Sequence, residues 1–416
     1  MQPAATRVNG ADGGPRLVRS LTLVNLVLYG IGVTVGAGIY VLVGASAARA
    51  GMHAPVAFLI AAVLMAFSAL SFAELASRMP VAASEAAYVR AGLRAPWLAL
   101  LVGFLVIAIG VVSAAAISIG SAGYIRVFVP VAEPVVVTAV VLAMGAIAAW
   151  GIKESVIFAG VMTAIEVGGL LVIVVAGSFS GPAIVTRLPE ALPAIGHSAV
   201  WLGVLSSSLL AVFAFVGFEG IVNVAEEVEA PERTIPRAIF LTLAATTVLY
   251  MSVVWVALVT VGPAELATAK APLAVVFERV TGWSPRILGA IAIVATLNGI
   301  IVQIIMASRV AYGLADQGQL PRALASVHPV TRTPLVATAA AVLIVLVLAL
   351  AVPLEGLAEL TSRLALVLFA LVNLSLAVLR LREAEPPVGV FRAPAWVPWA
   401  GVASTVAFLA AAAFAG

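Results

Sequence analysis

The sequence has no cysteine. That excludes a disulfide framework and any thiolate metal site. Histidine is nearly absent as well. The three present, His53, His197 and His328, all fall between apolar stretches, so no buried histidine metal cluster is expected. Charge is scarce: Asp, Glu, Lys and Arg make up 10% of residues, against about 25% in a soluble domain. So few charges cannot cover a globular surface. No Walker-type phosphate loop is present, which removes the sequence basis for ATP drive. No cofactor, metal or nucleic-acid partner is expected. What remains is apolar. Hydrophobic residues reach 63% and mean hydropathy is +1.19, so the chain belongs in a lipid bilayer.

A membrane-spanning helix needs about 20 mostly apolar residues. Candidate spans lie near 21–44, 54–76, 97–125, 134–150, 155–177, 198–226, 236–261, 286–312, 334–352, 357–379 and 397–415, about eleven in all. The start of the chain, with Arg7, Arg16 and Arg19 before an apolar run, mimics a secretory signal. The first polar break comes too late for that, and further spans follow. Residues 1–20 are therefore expected to be a cytoplasmic tail. Placing them inside puts fifteen of the 22 lysines and arginines on the same side of the membrane, as the positive-inside rule asks. Tyr, Trp and Arg residues near span ends read as interface anchors.

Two spans differ from the rest. The first contains "GIGVTVGAGIY" (30–40) and the sixth "FAFVGFEGIVNVAEE" (213–227). Each glycine costs about 1 kcal/mol relative to alanine in a helix interior. Gly32 and Gly36 also form a small-xxx-small pair, which on its own reads as a helix-packing motif. The alternative is a break. Unwound backbone at membrane depth is tolerated only where it lines a protected cavity. A half-helix beginning there presents N–H groups and the positive end of a dipole, suited to a carboxylate. The half-helix ending there presents carbonyls, suited to an ammonium. Two interrupted spans in corresponding halves point to a transporter binding site at a repeat interface. The halves are about 21–177 and 198–379, with 397–416 as an additional C-terminal helix.

The stretches "VGAGIYVLVG", "SFAELASRMP", "FAFVGFEGIVNVAEEVEAPERTIPRAI" and "MASRVAYGLADQGQLPRALASVHPVTRTP" resemble the amino acid–polyamine–organocation superfamily of amino acid transporters. The resemblance covers nearly the whole chain. It implies an all-α integral membrane fold, a five-plus-five inverted repeat with helices 1 and 6 broken around the substrate. It further implies that the Thr34 carbonyl faces the substrate amine, while the amides of Gly36, Ala37 and Gly38 hold its carboxylate, so that Val35 to Gly38 is the stretch where a bound carboxylate is expected. The carbonyls of Phe213, Ala214 and Val216 complete the ammonium site, and the Phe213 ring closes it. Two features depart from the family: "PVAASEAAYVRAGL" lacks the usual glycine pair before the tyrosine, and about eleven spans are read where twelve are usual.

Ionisable residues within spans are costly and are functional candidates. Glu166 lies mid-span in "VMTAIEVGGLLVIVVAG". It is either a structural carboxyl group hydrogen-bonded to a neighbouring helix or a proton carrier, since low-dielectric surroundings disfavour a carboxylate's charge. Several proton-coupled members of the resembling family carry a lysine there. A sodium site would want hydroxyls in mid-span 8, which reads "LNGIIVQII", so a proton is favoured. Glu219 follows the second break; it either caps the half-helix or, by the resemblance, links the substrate site to the inner gate. Gln303 and Asn298 either contact substrate or hydrogen-bond between helices. Ser113 and Thr361 are further pocket candidates. Arg363 either lines the outer vestibule or snorkels outward. Glu74, Glu226 and Glu227 are expected to pair with arginines on the cytoplasmic side.

The expected function is secondary transport of an amino acid by alternating access, driven by protons, through a multi-pass protein of a bacterial cytoplasmic membrane. An exchanger, or a polyamine or organic-amine permease, is the alternative. An intramembrane enzyme would want a His, Ser–His or metal-ligand cluster within the spans, and the sequence offers none.

Overall fold

The computed structural model describes residues 21–36, 38–80, 84–150, 156–383 and 389–415, with side chains for all of these except 84, 156–159 and 413–415. Its first helix begins where the sequence offers a cap. The Thr22 hydroxyl accepts from the Asn25 N–H at 3.4 Å, opening α1 (Leu23–Val35). The chain breaks and resumes as α2 (Gly38–Ala50). Proline near the start of a helix removes an N–H that has no partner there anyway. It opens α3 (Ala54–Arg78) and, after α4 (Ser84–Leu93), α5 (Pro96–Ile125). Then come α6 (Glu133–Trp150), α7 (Val156–Ser178) and the short α8 (Ala183–Thr186).

The second half repeats the interruption. Helix α9 (Ser198–Phe215) stops, and a single turn, α10 (Gly220–Asn223), follows it. Four helices with early prolines come next: α11 (Pro231–Thr260), α12 (Pro263–Thr268), α13 (Pro272–Thr281) and α14 (Pro285–Asp316). The chain ends with α15 (Leu335–Ala351), α16 (Leu354–Arg382) and α17 (Val397–Ala415). Every expected span coincides with helix. Among the described residues eight helical stretches are long and apolar enough to cross a membrane, and Leu23–Val35, Leu335–Ala351 and Val397–Ala412 are shorter apolar helices. The outward side chains are apolar too: Leu171, Val175, Val248, Leu343 and Val347 are exposed. In water that would be a liability; in lipid it is the required surface.

Among the described residues the core falls into two apolar clusters. One gathers the inner faces of α1–α4, α9, α11 and α16 around Phe58, Phe72, Phe215 and Phe218. The other joins α5, α6, α14 and α15. Helices α5 and α14 pack along their lengths, as do α3 and α11. Both interrupted helices sit where these groups meet.

The two interrupted segments are also stitched together at one face of the molecule. The Leu21 N–H donates to the Glu227 carbonyl at 2.9 Å, and the Glu229 N–H donates to the Leu21 carbonyl at 3.1 Å. On that same face Glu74 is completely buried. It accepts from Arg78 at 2.5 Å, from Arg380 Nε at 3.0 Å and Nη2, and from the Ala393 N–H at 2.8 Å. Arg78 in turn pairs with Glu383 at 2.5 Å. The expected partnership of Glu74 with arginines is thus present, and it ties α3 to α16 and to the segment before α17.

Candidate functional site

The breaks are built from backbone that glycine permits. Helix α1 ends as the Gly36 N–H donates to the Gly32 carbonyl at 3.3 Å. At the second break Val216 is extended, and Gly217 takes φ +130°. A side chain at Gly217 would be strained by that dihedral and would also place Cβ 2.7 Å from the Val33 carbonyl oxygen. The Gly217 N–H donates to Glu219 Oε2 at 2.8 Å, so the Glu219 carboxylate folds back over the break. The two interruptions therefore cross each other. A Cβ at Gly38 would lie 2.5 Å from Ala214 Cα.

Three tyrosines pin this crossing, and the sequence reading did not single them out. The Tyr250 hydroxyl, on α11, shares its hydrogen between the carbonyls of Thr34 (2.8 Å) and Ala214 (3.0 Å). Tyr124 Oη donates to the Tyr40 carbonyl at 2.6 Å. Tyr40 Oη donates to the Glu166 carbonyl at 2.8 Å. Tyr124, near a span end, is completely buried and is not the interface anchor its position implied. The available signal was a phenol hydroxyl in an apolar run, which usually finds a partner when buried.

A cavity of about 170 Å³ opens between the breaks and helices α5, α7 and α14. Thr34, Gly36, Gly38, Phe213, Val216 and Gln303 line it. So do Ser113 and Asn298, two of the other candidates, while Thr361 is buried outside the lining. Val35 and Ala214 are buried behind the wall. Ala37 lies outside the described residues.

The groups assigned to the substrate have partners of their own. The Gly36 amide is committed to Gly32, which leaves the first turn of α2, from Gly38 onward, as the source of N–H groups without an intrahelical acceptor. The Thr34 hydroxyl bonds the Gly30 carbonyl at 2.8 Å. The Thr34 and Ala214 carbonyls already accept from Tyr250, and each keeps a second lone pair.

Glu166 and Glu219 flank the cavity and do not line it. Glu166 stands one turn beyond the lining residue Thr163 on α7; its side chain is buried, and Oε1 has no hydrogen-bond partner among the described residues. The Tyr40 hydroxyl bonds the Glu166 backbone carbonyl, which places Glu166 beside the crossing.

At the far end of α2 an ion-pair cluster ties this helix to α16 and α9. Arg49 Nη2 meets Glu359 Oε1 of α16 at 2.5 Å, and Arg49 Nη1 donates to Ser206 Oγ of α9 at 2.8 Å. Arg363 pairs with the same glutamate at 3.3 Å and is 44% exposed, so it stands outside the cavity.

An all-helical, multi-pass integral membrane protein with a polar-lined cavity between two interrupted helices falls in the class of transporters, not enzymes. Comparison with known proteins makes the class specific. Residues 21–416 match the family model described as "Amino acid permease". The chain belongs to that family, and amino acid transport is the function the family supports. A branched-chain amino acid permease of Bacillus subtilis is 29% identical, over 91% of this chain and 85% of that protein. A transporter of Mycobacterium tuberculosis, named as uncharacterized, is 34% identical over 89% and 82%. A vacuolar cationic amino acid transporter of Arabidopsis thaliana is 31% identical over 89% of this chain and 61% of its own length.

Proposed function

We propose that the chain carries an amino acid across the membrane by alternating access, with the substrate held as a zwitterion between the two breaks. The observation that carries this reading is the cavity lined by Thr34, Gly36, Gly38, Phe213 and Val216. The substrate carboxylate sits against the first turn of α2, where N–H groups and dipole favour an anion. Its ammonium sits against the carbonyl ends of α1 and α9, where Tyr250 holds Thr34 and Ala214 in register. The Arg49–Glu359 cluster closes one side, and release proceeds past Tyr29 and Val33 at the other. With residues 1–20 cytoplasmic, the closed side faces out.

Transport is coupled to protons. Glu166 has a buried, unpartnered carboxyl oxygen beside the tyrosines that pin the breaks, so gaining or losing its proton acts on the site's geometry. Glu219 rests on the second break itself. The membrane is a bacterial cytoplasmic membrane. Substrate preference is not transferred from the relatives, whose names divide between branched-chain and cationic amino acids.

The test is reconstitution. The purified protein in liposomes is screened for amino acids and amines that raise its melting temperature, and uptake of each hit is measured with and without an inward proton gradient. Amino acid uptake stimulated by the gradient, and lost from gradient-driven mode in Glu166→Gln with counterflow retained, is the expected result. Binding of amines without amino acids overturns the substrate. Uptake indifferent to pH, equal in Glu166→Gln, overturns the proton.

A further inference from the structure

Two polar atoms on the cavity wall have no hydrogen-bond partner among the described residues: Ser113 Oγ on α5 and Gln303 Oε1 on α14. Both atoms are buried, and Ser113 as a residue is 2% exposed. They stand at one level. A Cβ at Gly110, one turn from Ser113, would lie 3.1 Å from the Gln303 carbonyl oxygen. Leaving a buried polar group unsatisfied is costly, so such atoms are usually paired. Beside them on the same two helices the lining is apolar at Ile117 and Val302, α9 adds Phe213, and no Asp, Glu, Lys or Arg lines the cavity among the described residues.

We infer that the Ser113–Gln303 pair is the specificity subsite, and that the preferred substrate is an amino acid with an uncharged side chain that donates a hydrogen bond, a carboxamide or a hydroxyl. The inference rests on the transport reading above and deepens it. A carboxamide offers Gln303 Oε1 a donor and returns an acceptor to the Ser113 hydroxyl, so both wall atoms are satisfied at once. A branched aliphatic side chain of similar volume fills the space and leaves both unpaired. Sites built to hydrogen-bond a substrate discriminate strongly against analogues that cannot. A cationic side chain would also donate to these oxygens, but it would bring a desolvated charge to a wall without a counter-charge, and that is the costlier burial.

The test is competition in proteoliposomes. Uptake of whichever radiolabelled amino acid the wild type accumulates fastest is competed with glutamine, asparagine, serine, threonine, leucine, valine and lysine. The carboxamide or hydroxyl amino acids are expected to compete at least about tenfold better than leucine, valine or lysine. Gln303→Met, close in shape, and Ser113→Ala are expected to narrow or invert the ratio of glutamine or threonine to leucine while leucine uptake persists. Preference of the wild type for leucine, valine or lysine overturns this inference and leaves the transport reading standing. So does an unchanged ratio in a Gln303→Met protein that still accumulates leucine. Accumulation of no amino acid overturns both.

Discussion

Gly38 and Ala214 pass each other so closely that a Cβ on the glycine would stand 2.5 Å from the Ala214 Cα. Two interrupted helices from opposite halves of the chain thus meet backbone to backbone, and the cavity exists because they do. Gly38→Ala must push α2 and α9 apart. Overpacking of this kind costs about 1–3 kcal/mol, and here it also displaces the wall. A lowered melting temperature in detergent and loss of substrate-induced stabilisation are expected. Gly160→Ala on α7, where an added Cβ meets nothing within 4 Å, is the control and is expected to melt at or slightly above wild type.

Tyr250 supplies one hydrogen to two carbonyls at that crossing. Its ring also packs on Phe58 and Phe215, with centroids 5.9 and 5.2 Å away. Tyr250→Phe keeps the packing and removes the donor, leaving buried acceptors short of a partner at a cost of about 1–3 kcal/mol. Melting temperature and apparent substrate affinity are both expected to fall. A Tyr250→Phe protein equal to wild type in both would show that the pin does not hold the breaks.

In the proposed mechanism the Arg49–Glu359 pair, at the end of α2, closes one side of the cavity. Because the chain has no cysteine, a single Ile117→Cys on the cavity wall reports access without background. Adding Glu359→Gln is expected to raise its labelling by a membrane-impermeant maleimide applied from that side. The charge-reversed pair Arg49→Glu with Glu359→Arg is expected to bring labelling back toward the starting rate. Equal labelling in all backgrounds would contradict the closing role.

Glu74 is the buried centre of the opposite cluster. Removing its carboxylate in Glu74→Ala takes the carboxylate partner from Arg380, 9% exposed, and leaves Arg78, 5% exposed, with Glu383 alone. Breaking a buried pair from one side costs about 3–5 kcal/mol. Thermal unfolding is expected to show a large loss, with part of it recovered by Arg380→Met in the same chain. A melting temperature unchanged by Glu74→Ala would mean that the cluster holds nothing together.

The fold was legible because hydropathy at membrane depth admits few solutions. Runs of apolar sequence became helices at the expected positions, and the glycines of "GIGVTVGAGIY" and "FAFVGFEG" marked both breaks. The packing alternative, made for Gly32 and Gly36, describes Gly32, where a Cβ would run into the Thr163 side chain of α7, but not Gly36, where it would meet only the Gly32 carbonyl oxygen of its own helix. What the sequence hid was long-range pairing. Tyr250 meets Thr34 across 216 positions, and Arg49 meets Glu359 across more; no local pattern carries such contacts. The Gly36 amide shows a subtler limit. The glycine spacing located the break to within a residue or two, but which N–H closes α1 and which opens α2 is decided by the last turn of the helix.

The central claim is that the cavity between the breaks reads an ammonium and a carboxylate on the same carbon. The most direct measurement is competition against uptake of the preferred amino acid by three analogues that share its side chain: the decarboxylated amine, the acid lacking the α-amino group, and the amino acid methyl ester. Competition by the intact amino acid alone, with each analogue weaker by at least about tenfold, is the predicted result. An amine or an ester competing as well as the amino acid would show that the first turn of α2 holds no carboxylate, and would contradict the account.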